Sequence, residues 1–267
     1  MTQAPSPIDV IVLAGDRGPD DPLARTAGVV GKTLVQVAGR PMLQTVLETL
    51  TAWPLLDRLV VLAPDTAEHG AILDRITIDN DRLIRIRPET SPSLSVAAGL
   101  KALDGRRPVL LVTADHPLLK TDWLEQLLGT EADADVTVAL AKYETVMQRF
   151  PGSRRTRYRF SDVNVCGTNL FVFRNPAGDA VVELWRQIER QRKRPWRIVS
   201  LLGWSLLGRY LTGRLALSEA LAALSSRAGA RVSACLLEDP LSAVDIDSTE
   251  DLELVESVIS QRPSSCS

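Results

Sequence analysis

Short runs of Val, Leu and Ile recur along this chain of 267 residues: DVIVLAG (9–15), RLVVLAP (58–64), PVLLVTADHP (108–117), ADVTVAL (134–140), TNLFVF (168–173) and RVSACLL (231–237). Runs this continuously apolar have no polar face to show to water, so they read as strands buried on both sides. RLIRIRP (82–88) is a shorter strand of mixed character. Between them lie segments of helical spacing. RPMLQTVLETL (40–50) has Pro41 near its first turn, and SPSLSVAAGLKAL (91–103) opens on serines able to cap it. Further helices are predicted around 121–128 and over 248–260. Strands alternating with helices require a sheet covered on both faces, so the predicted fold is α/β, a three-layer αβα sandwich around a mainly parallel, mixed sheet.

No repeat or linker divides the chain, and a single domain over 1–267 is expected. Two segments depart from the alternation. RFPGSRRTRYRF (149–160) is strongly basic, and RQRKRPWRIVSLLGWSLLGRYLTGRL (190–215) joins a basic cluster to an apolar, Trp-containing stretch. The second belongs to a basic and apolar helical insertion expected at about 176–228. Its apolar residues cover more than one narrow stripe and need a cover. Packing within the domain or a homodimer contact is favoured over the alternative, contact with an anionic membrane or an acceptor's lipid portion.

The net charge of −2 gives no global attraction to nucleic acid, so phosphate would have to be met by local basic groups. Three cysteines (Cys166, Cys235, Cys266) and two histidines (His69, His116) form neither a disulfide framework nor a metal site. The opening MTQAPSPID lacks the basic and apolar regions of a signal peptide, and no apolar run approaches the roughly 18–20 residues of a spanning helix. The expectation is a reduced, cytoplasmic protein.

Chemistry concentrates in three places, each just after or between predicted elements, where ligands of parallel sheets gather. From Gly15 the chain takes seventeen residues to reach Lys32, although such connections take about 2–6. Gly18, Gly28 and Gly31 give this loop backbone freedom, and Arg17, Arg25 and Lys32 give it positive charge, a combination suited to polyphosphate. An irregular surface loop is an equal reading of the same residues. It is not a P-loop, because Thr26 stands where the first glycine of that motif is required. Asp115 follows an apolar strand, where a carboxylate either holds Mg²⁺ or shapes a turn; His116 beside it reads as structural. In AVDIDSTEDLELV (243–255), Asp247 with Glu250 has the spacing of a capping box. That leaves Asp245 to form a two-carboxylate Mg²⁺ site with Asp115. Arg154, Arg155, Arg157 and Arg159 could meet a phosphorylated acceptor.

The ordered set VLAG, a basic glycine-containing loop to Lys32, VAGRPML, TADHPLL and DIDSTEDL resembles the MobA-like nucleotidyltransferases over roughly residues 9–260. That group includes molybdenum cofactor guanylyltransferase, with sugar-phosphate and methylerythritol-phosphate cytidylyltransferases as relatives. The resemblance implies the glycosyltransferase-A-like nucleotidyltransferase fold. It implies that Leu13, Ala14 and Gly15 begin the nucleotide-binding loop and that Lys32 binds phosphate. The segment Ser91 to Gly99, with Ser93 and Ser95, would lie beside the base. Asp115 would bind metal, with Asp245 as second ligand, and Gly167, Asn169 and Arg157 would stand near the acceptor. Asp16 departs from the family's second glycine, the loop is longer than usual, and Arg17 and Arg25 both qualify as its arginine. The expected reaction is transfer of NMP from an NTP to a phosphorylated small-molecule acceptor with release of pyrophosphate, dependent on Mg²⁺, with Lys32 and Asp115 as the catalytic residues. A glycosyltransferase acting on a nucleotide sugar and a non-catalytic nucleotide-binding protein are the alternatives.

Overall fold

The computed structural model describes residues 7–15, 20–191 and 203–261. Its centre is an eight-stranded sheet. In chain order the strands are β1 (Ile8–Leu13), β4 (Leu56–Leu62), β5 (Leu83–Ile86), β6 (Val109–Thr113), β7 (Val136–Lys142), β8 (Tyr158–Arg159), β9 (Asn164–Phe173) and β10 (Val232–Leu237). β2 (Gln36–Val37) and β3 (Arg40–Pro41) form a separate small hairpin. The spatial order is β10-β7-β9-β6-β1-β4-β5, with β8 beside β9. Every pairing of the main sheet is parallel except those made by β9, which is antiparallel to β6, β7 and β8.

Period-two alternation along β1 shows why the strands are apolar throughout. Val10 and Val12 enter one core, with Leu43, Val46 and Leu50 of α2 (Met42–Thr51) and Trp123 and Leu127 of α5 (Thr121–Gly129). Ile11 enters the other, with Val96 and Leu100 of α4 (Pro92–Ala102) and Val182 of α7 (Asp179–Gln191). Each such side chain contributes about 1.5–3 kcal/mol of burial, and splitting them between two faces enforces three layers. Gly99 lets α4 approach β1 closely, since a Cβ there would stand 3.0–3.3 Å from the Ile11 side chain. Shorter helices are α1 (Pro22–Ala27), α3 (Ala67–Leu73) and α6 (Tyr143–Arg149).

From residue 20 onward the loop after β1 is more regular than its glycines suggest. Asp21 caps α1 by accepting from the amides of Leu23 and Ala24, and Gly28 closes it in the left-handed conformation, φ +68°. Gly31 is extended and leads into a 3₁₀ turn at Lys32–Leu34. Thus Gly28 serves a helix terminus rather than a free backbone cradle. Asp16, Arg17 and Gly18 lie outside the described residues.

Within 176–228 the chain forms α7, α8 (Trp204–Leu211) and α9 (Leu217–Ala228). α8 buries none of its residues, and Trp204 and Leu211 are 65% and 73% exposed. The basic cluster Arg192, Lys193, Arg194 and Arg197 and the apolar Trp196, Leu201 and Leu202 lie outside the described residues. Among the described residues, no helix is long and apolar enough to cross a membrane. The last helix is α10 (Thr249–Ser260).

Candidate active site

The parallel neighbours β1 and β6 end side by side, Leu13 opposite Thr113. The amide of Ala114 donates to the Leu13 carbonyl, and that of Ile246 to the Asp115 carbonyl, at 2.9 Å each. These bonds gather three distant segments at the carboxyl edge of the sheet. Into this junction the 3₁₀ turn delivers Lys32, whose Nζ donates to Asp115 Oδ2 at 2.7 Å and also to Asp247 Oδ1. Lys32 and Asp115 are largely buried, whereas Asp247 is open to solvent. Asp115 Oδ1 is buried and makes no hydrogen bond, and the nearby Thr113 hydroxyl is likewise unpaired.

Asp245 completes the acidic cluster and is held from two sides. Arg155 Nη1 donates to its Oδ1 at 2.6 Å and to its carbonyl at 3.1 Å, while Asn169 Nδ2 donates to its Oδ2 at 2.9 Å. Asn169 does so from left-handed backbone, φ +56°, in the middle of β9, a conformation that costs a non-glycine residue energy. The other Arg155 nitrogen, Nη2, donates to Asp251. Asp251 in turn accepts from the amides of Asp247 and Ser248 at 3.2 and 3.1 Å.

The electrostatics follow from this crowding. Burial opposes the charge on Lys32, but Asp115 and Asp247 outweigh it and hold the ammonium firmly protonated. Burial likewise opposes the charge on Asp115, and Lys32 reverses the balance, leaving its pKa below the usual carboxylate value. Asp245 has no such excess of partners. Burial, with Asp115 and Asp247 adding repulsion, pushes it up to about 6 against the pull of Arg155 and Lys32.

The residues read from the sequence divide. Lys32, Asp115, Asp245 and Asn169 share this cluster, close beyond the β1 end that carries Leu13, Ala14 and Gly15. A Cβ on Gly15 would lie 3.0 Å from Pro88 Cβ, so the chain passes tightly there. Ser93 is fully buried and donates to Glu189 Oε2, and Ser95 Oγ accepts from the Glu89 amide at 2.9 Å. Arg25 is exposed on α1 and donates to the Asp20 carbonyl at 3.3 Å. Gly167 is exposed on β9, and Arg157 lies 3.9 Å from Glu144 and over the Tyr143 ring. Arg17 is outside the described residues. His116 is buried and stacked on Trp123, with one ring nitrogen 3.3 Å from the Leu241 carbonyl and the other without a partner.

Two expectations are corrected. The cap of α10 is Ser248, paired reciprocally with Asp251, not Asp247 with Glu250, which frees Asp247 to meet Lys32. Arg155 is turned inward onto Asp245 and Asp251, with its side chain 7% exposed, rather than outward toward an acceptor. Ser248 and Asp251 repeat the Asp247–Glu250 spacing one residue later, and the conformation of the turn selects that pair.

Among the described residues, no group of three His, Cys, Asp or Glu converges in metal-ligating geometry. The donors that are present are hard carboxylate oxygens, and the orphaned Asp115 Oδ1 lacks a partner. They fit Mg²⁺, which binds through one or two carboxylates and takes its other ligands from water and phosphate.

The family model for the MobA-like NTP transferase domain matches residues 10–239. The bifunctional protein GlmU of Paracidovorax citrulli is 30% identical over 125 residues, 46% of this chain and 25% of that protein. The chain thus spans about a quarter of the length of this curated relative. Among solved structures, a hypothetical transferase from Thermus thermophilus superposes with a TM-score of 0.77 at 27% identity, over 93% of this chain and all of that one. The 4-diphosphocytidyl-2C-methyl-D-erythritol synthase of Anaerococcus prevotii shares the fold, with a TM-score of 0.59 at 16% identity over 96% of this chain and 99% of its own. The chain belongs to the MobA-like NTP transferase family and is a nucleotidyltransferase.

Proposed function

We propose that this chain transfers NMP from an NTP to a phosphorylated small-molecule acceptor and releases pyrophosphate, with Mg²⁺ bound. The observation that carries the reading is the cluster in which Lys32 bridges Asp115 and Asp247 while Asp115 Oδ1 stays unpaired. A buried carboxylate oxygen without a donor costs free energy unless a cation meets it. A phosphate acceptor is already anionic at neutral pH, so the transfer needs positioning and charge neutralisation more than a side-chain base.

In this reading Asp115 and Asp245 would hold Mg²⁺, which supplies Lewis-acid neutralisation of phosphate charge when bound. Lys32 exchanges its carboxylate partners for phosphate oxygens of the nucleotide. Leu13, Ala14 and Gly15 line the nucleotide side, with Arg25 or Arg17 as the loop arginine and Ser93 and Ser95 toward the base. Gly167, Asn169 and Arg157 lie on the acceptor side. The single-domain organisation, with an insertion at about 176–228, and a cytoplasmic setting belong to the same reading.

The test is a pyrophosphate-release screen of four NTPs against phosphorylated sugars, polyols and cofactor precursors. Release with one pair, lost on chelation of Mg²⁺, is the expected result. Turnover of a nucleotide sugar without pyrophosphate would make the protein a glycosyltransferase instead. Nucleotide binding with no turnover of any pair would make it a non-catalytic binder.

A further inference from the structure

Four carboxylates, Asp115, Asp245, Asp247 and Asp251, meet two cations, Lys32 and Arg155. Lys32 serves the first and third, and Arg155 serves the other two. The two cations differ in what they can do next. Lys32 is a point charge on a flexible stem and can be drawn toward phosphate. Arg155 cannot follow. Both of its terminal nitrogens are committed, one to the Asp245 carboxylate and carbonyl and the other to Asp251, while its Nε is buried without a partner. Asp251 is fixed in turn by the first turn of α10, through the amides of Asp247 and Ser248. On its far side Asp245 is tied to Asn169 of β9.

We propose that Arg155 is a positioning residue of the transferase, locking Asp245 between β9 and α10 in the orientation that the metal and phosphates require. This rests on the reading of Asp245 as part of the metal site. The argument is geometric. Three carboxylates around one junction repel one another, and without a fixed cation behind it Asp245 would swing out toward solvent. A buried guanidinium with two carboxylate partners and a carbonyl prevents that, and its fork shape matches two acceptors at once as an ammonium cannot. Arg155 touches no substrate in this scheme. It acts only through Asp245.

The proposal predicts that R155M weakens Mn²⁺ binding, used as a spectroscopic probe of the Mg²⁺ site, by roughly 10–100-fold, the usual cost of removing an outer-shell partner. Nucleotide affinity measured without metal stays at the wild-type value, because Lys32 is untouched. R155K recovers only part of the loss, since one ammonium cannot span Asp245 and Asp251. D251N, which keeps an oxygen for the α10 cap, loses affinity in the same direction. Circular dichroism and a thermal melt establish that each variant is folded. If R155M does not fold, R155K and D251N are read in its place. Wild-type Mn²⁺ affinity in folded R155M, or in folded R155K and D251N, overturns the proposal. D245A separates the two levels: if it retains Mn²⁺ affinity, the assignment of Asp245 to the metal site fails. If D245A loses affinity while the Arg155 variants keep it, the role of Arg155 alone fails.

Discussion

Two clusters of charge sit at opposite ends of the central strands, and they are built on opposite plans. At the amino end, Asp9 of β1 is 3% exposed and every contact is closed. Its Oδ2 accepts from Arg106 Nε at 2.7 Å and its Oδ1 from the Arg58 amide at 3.1 Å. Arg106 also pairs with Asp57, whose carbonyl accepts from Arg82 at 2.7 Å. At the carboxyl end, the acids outnumber the bases and Asp115 Oδ1 has no donor. Folding alone rewards the first arrangement, in which every buried polar atom is satisfied. The second leaves charge uncompensated at the folded state's expense, which makes sense where a charged ligand completes it.

Substitutions that exchange the two behaviours would break the comparison. Asp115→Ala should lower the rate by about 10²–10³-fold, the cost of losing one element of transition-state charge stabilisation, and should also lower the thermal midpoint, because Lys32 loses its buried partner. Near-wild-type turnover at saturating Mg²⁺ would show that the open cluster is not the reaction centre. Lys32→Ala should cost about 1.5–3 kcal/mol in nucleotide binding, roughly 10–100-fold in Kd by calorimetry. An unchanged Kd and rate would move the phosphates elsewhere.

The closed cluster should answer in the other currency. Asp9→Ala leaves the Arg58 amide without its acceptor and should cost about 1–3 kcal/mol in urea unfolding, with kcat unchanged. Ser248→Ala removes the α10 cap and should cost about 1 kcal/mol of stability, read as a lower thermal midpoint with a smaller effect on rate than Asp115→Ala. Last, Cys166 lies beneath the open cluster, where burial pushes its thiol up to about 11. The thiol stays protonated below that pH, so in a Cys266→Ser background the native protein should not react at Cys166 with a disulfide reagent at pH 8. Rapid reaction there would mean that this end of the sheet opens readily.

The open cluster was half legible in the sequence. Lys32 and Asp115 stand out because each borders an apolar run, where any polar residue invites a question. Asp247 was hidden by Ser248, since TEDL can be capped from either position and the spacing to an acid fits both. Arg155 was hidden by its neighbours. In a run with Arg154, Arg157 and Arg159 it looks like one more solvated cation, and only its two carboxylate partners, 90 and 96 residues away, single it out. The helix α1 inside the first loop was written in the residues, with Asp21 and Pro22 at its start and Gly28 at its end. Attention to glycine as a source of freedom obscured glycine as a stop. The seven longer strands of the sheet and the helices α2, α4, α5 and α10, which depend on local periodicity, were legible, whereas α3, α6 and the two-residue strands β2, β3 and β8 carried too little periodicity to be read. Antiparallel β9 had no local signature, because its direction is set by the strands on either side of it.

The placement of β9 has a consequence for how the molecule comes into being. β6 and β7 are parallel and follow one another in the chain, yet they do not touch as neighbours; a strand made about thirty residues later must slide between them. The edge strand β10 reaches the sheet only through β7. Lys32 and Asp247, which share a bond, are separated by 215 residues, and contacts of such long range close late because loop entropy opposes them until the intervening chain is ordered. Lys32 and Asp115 can be brought together by the first six strands, but Asn169, Asp245 and Arg155 arrive only when β9 is threaded and α10 docks. If Asp245 holds a metal as proposed, metal affinity followed during refolding rises in the final phase, after most of the helical signal has returned, and clocks the insertion of a single strand.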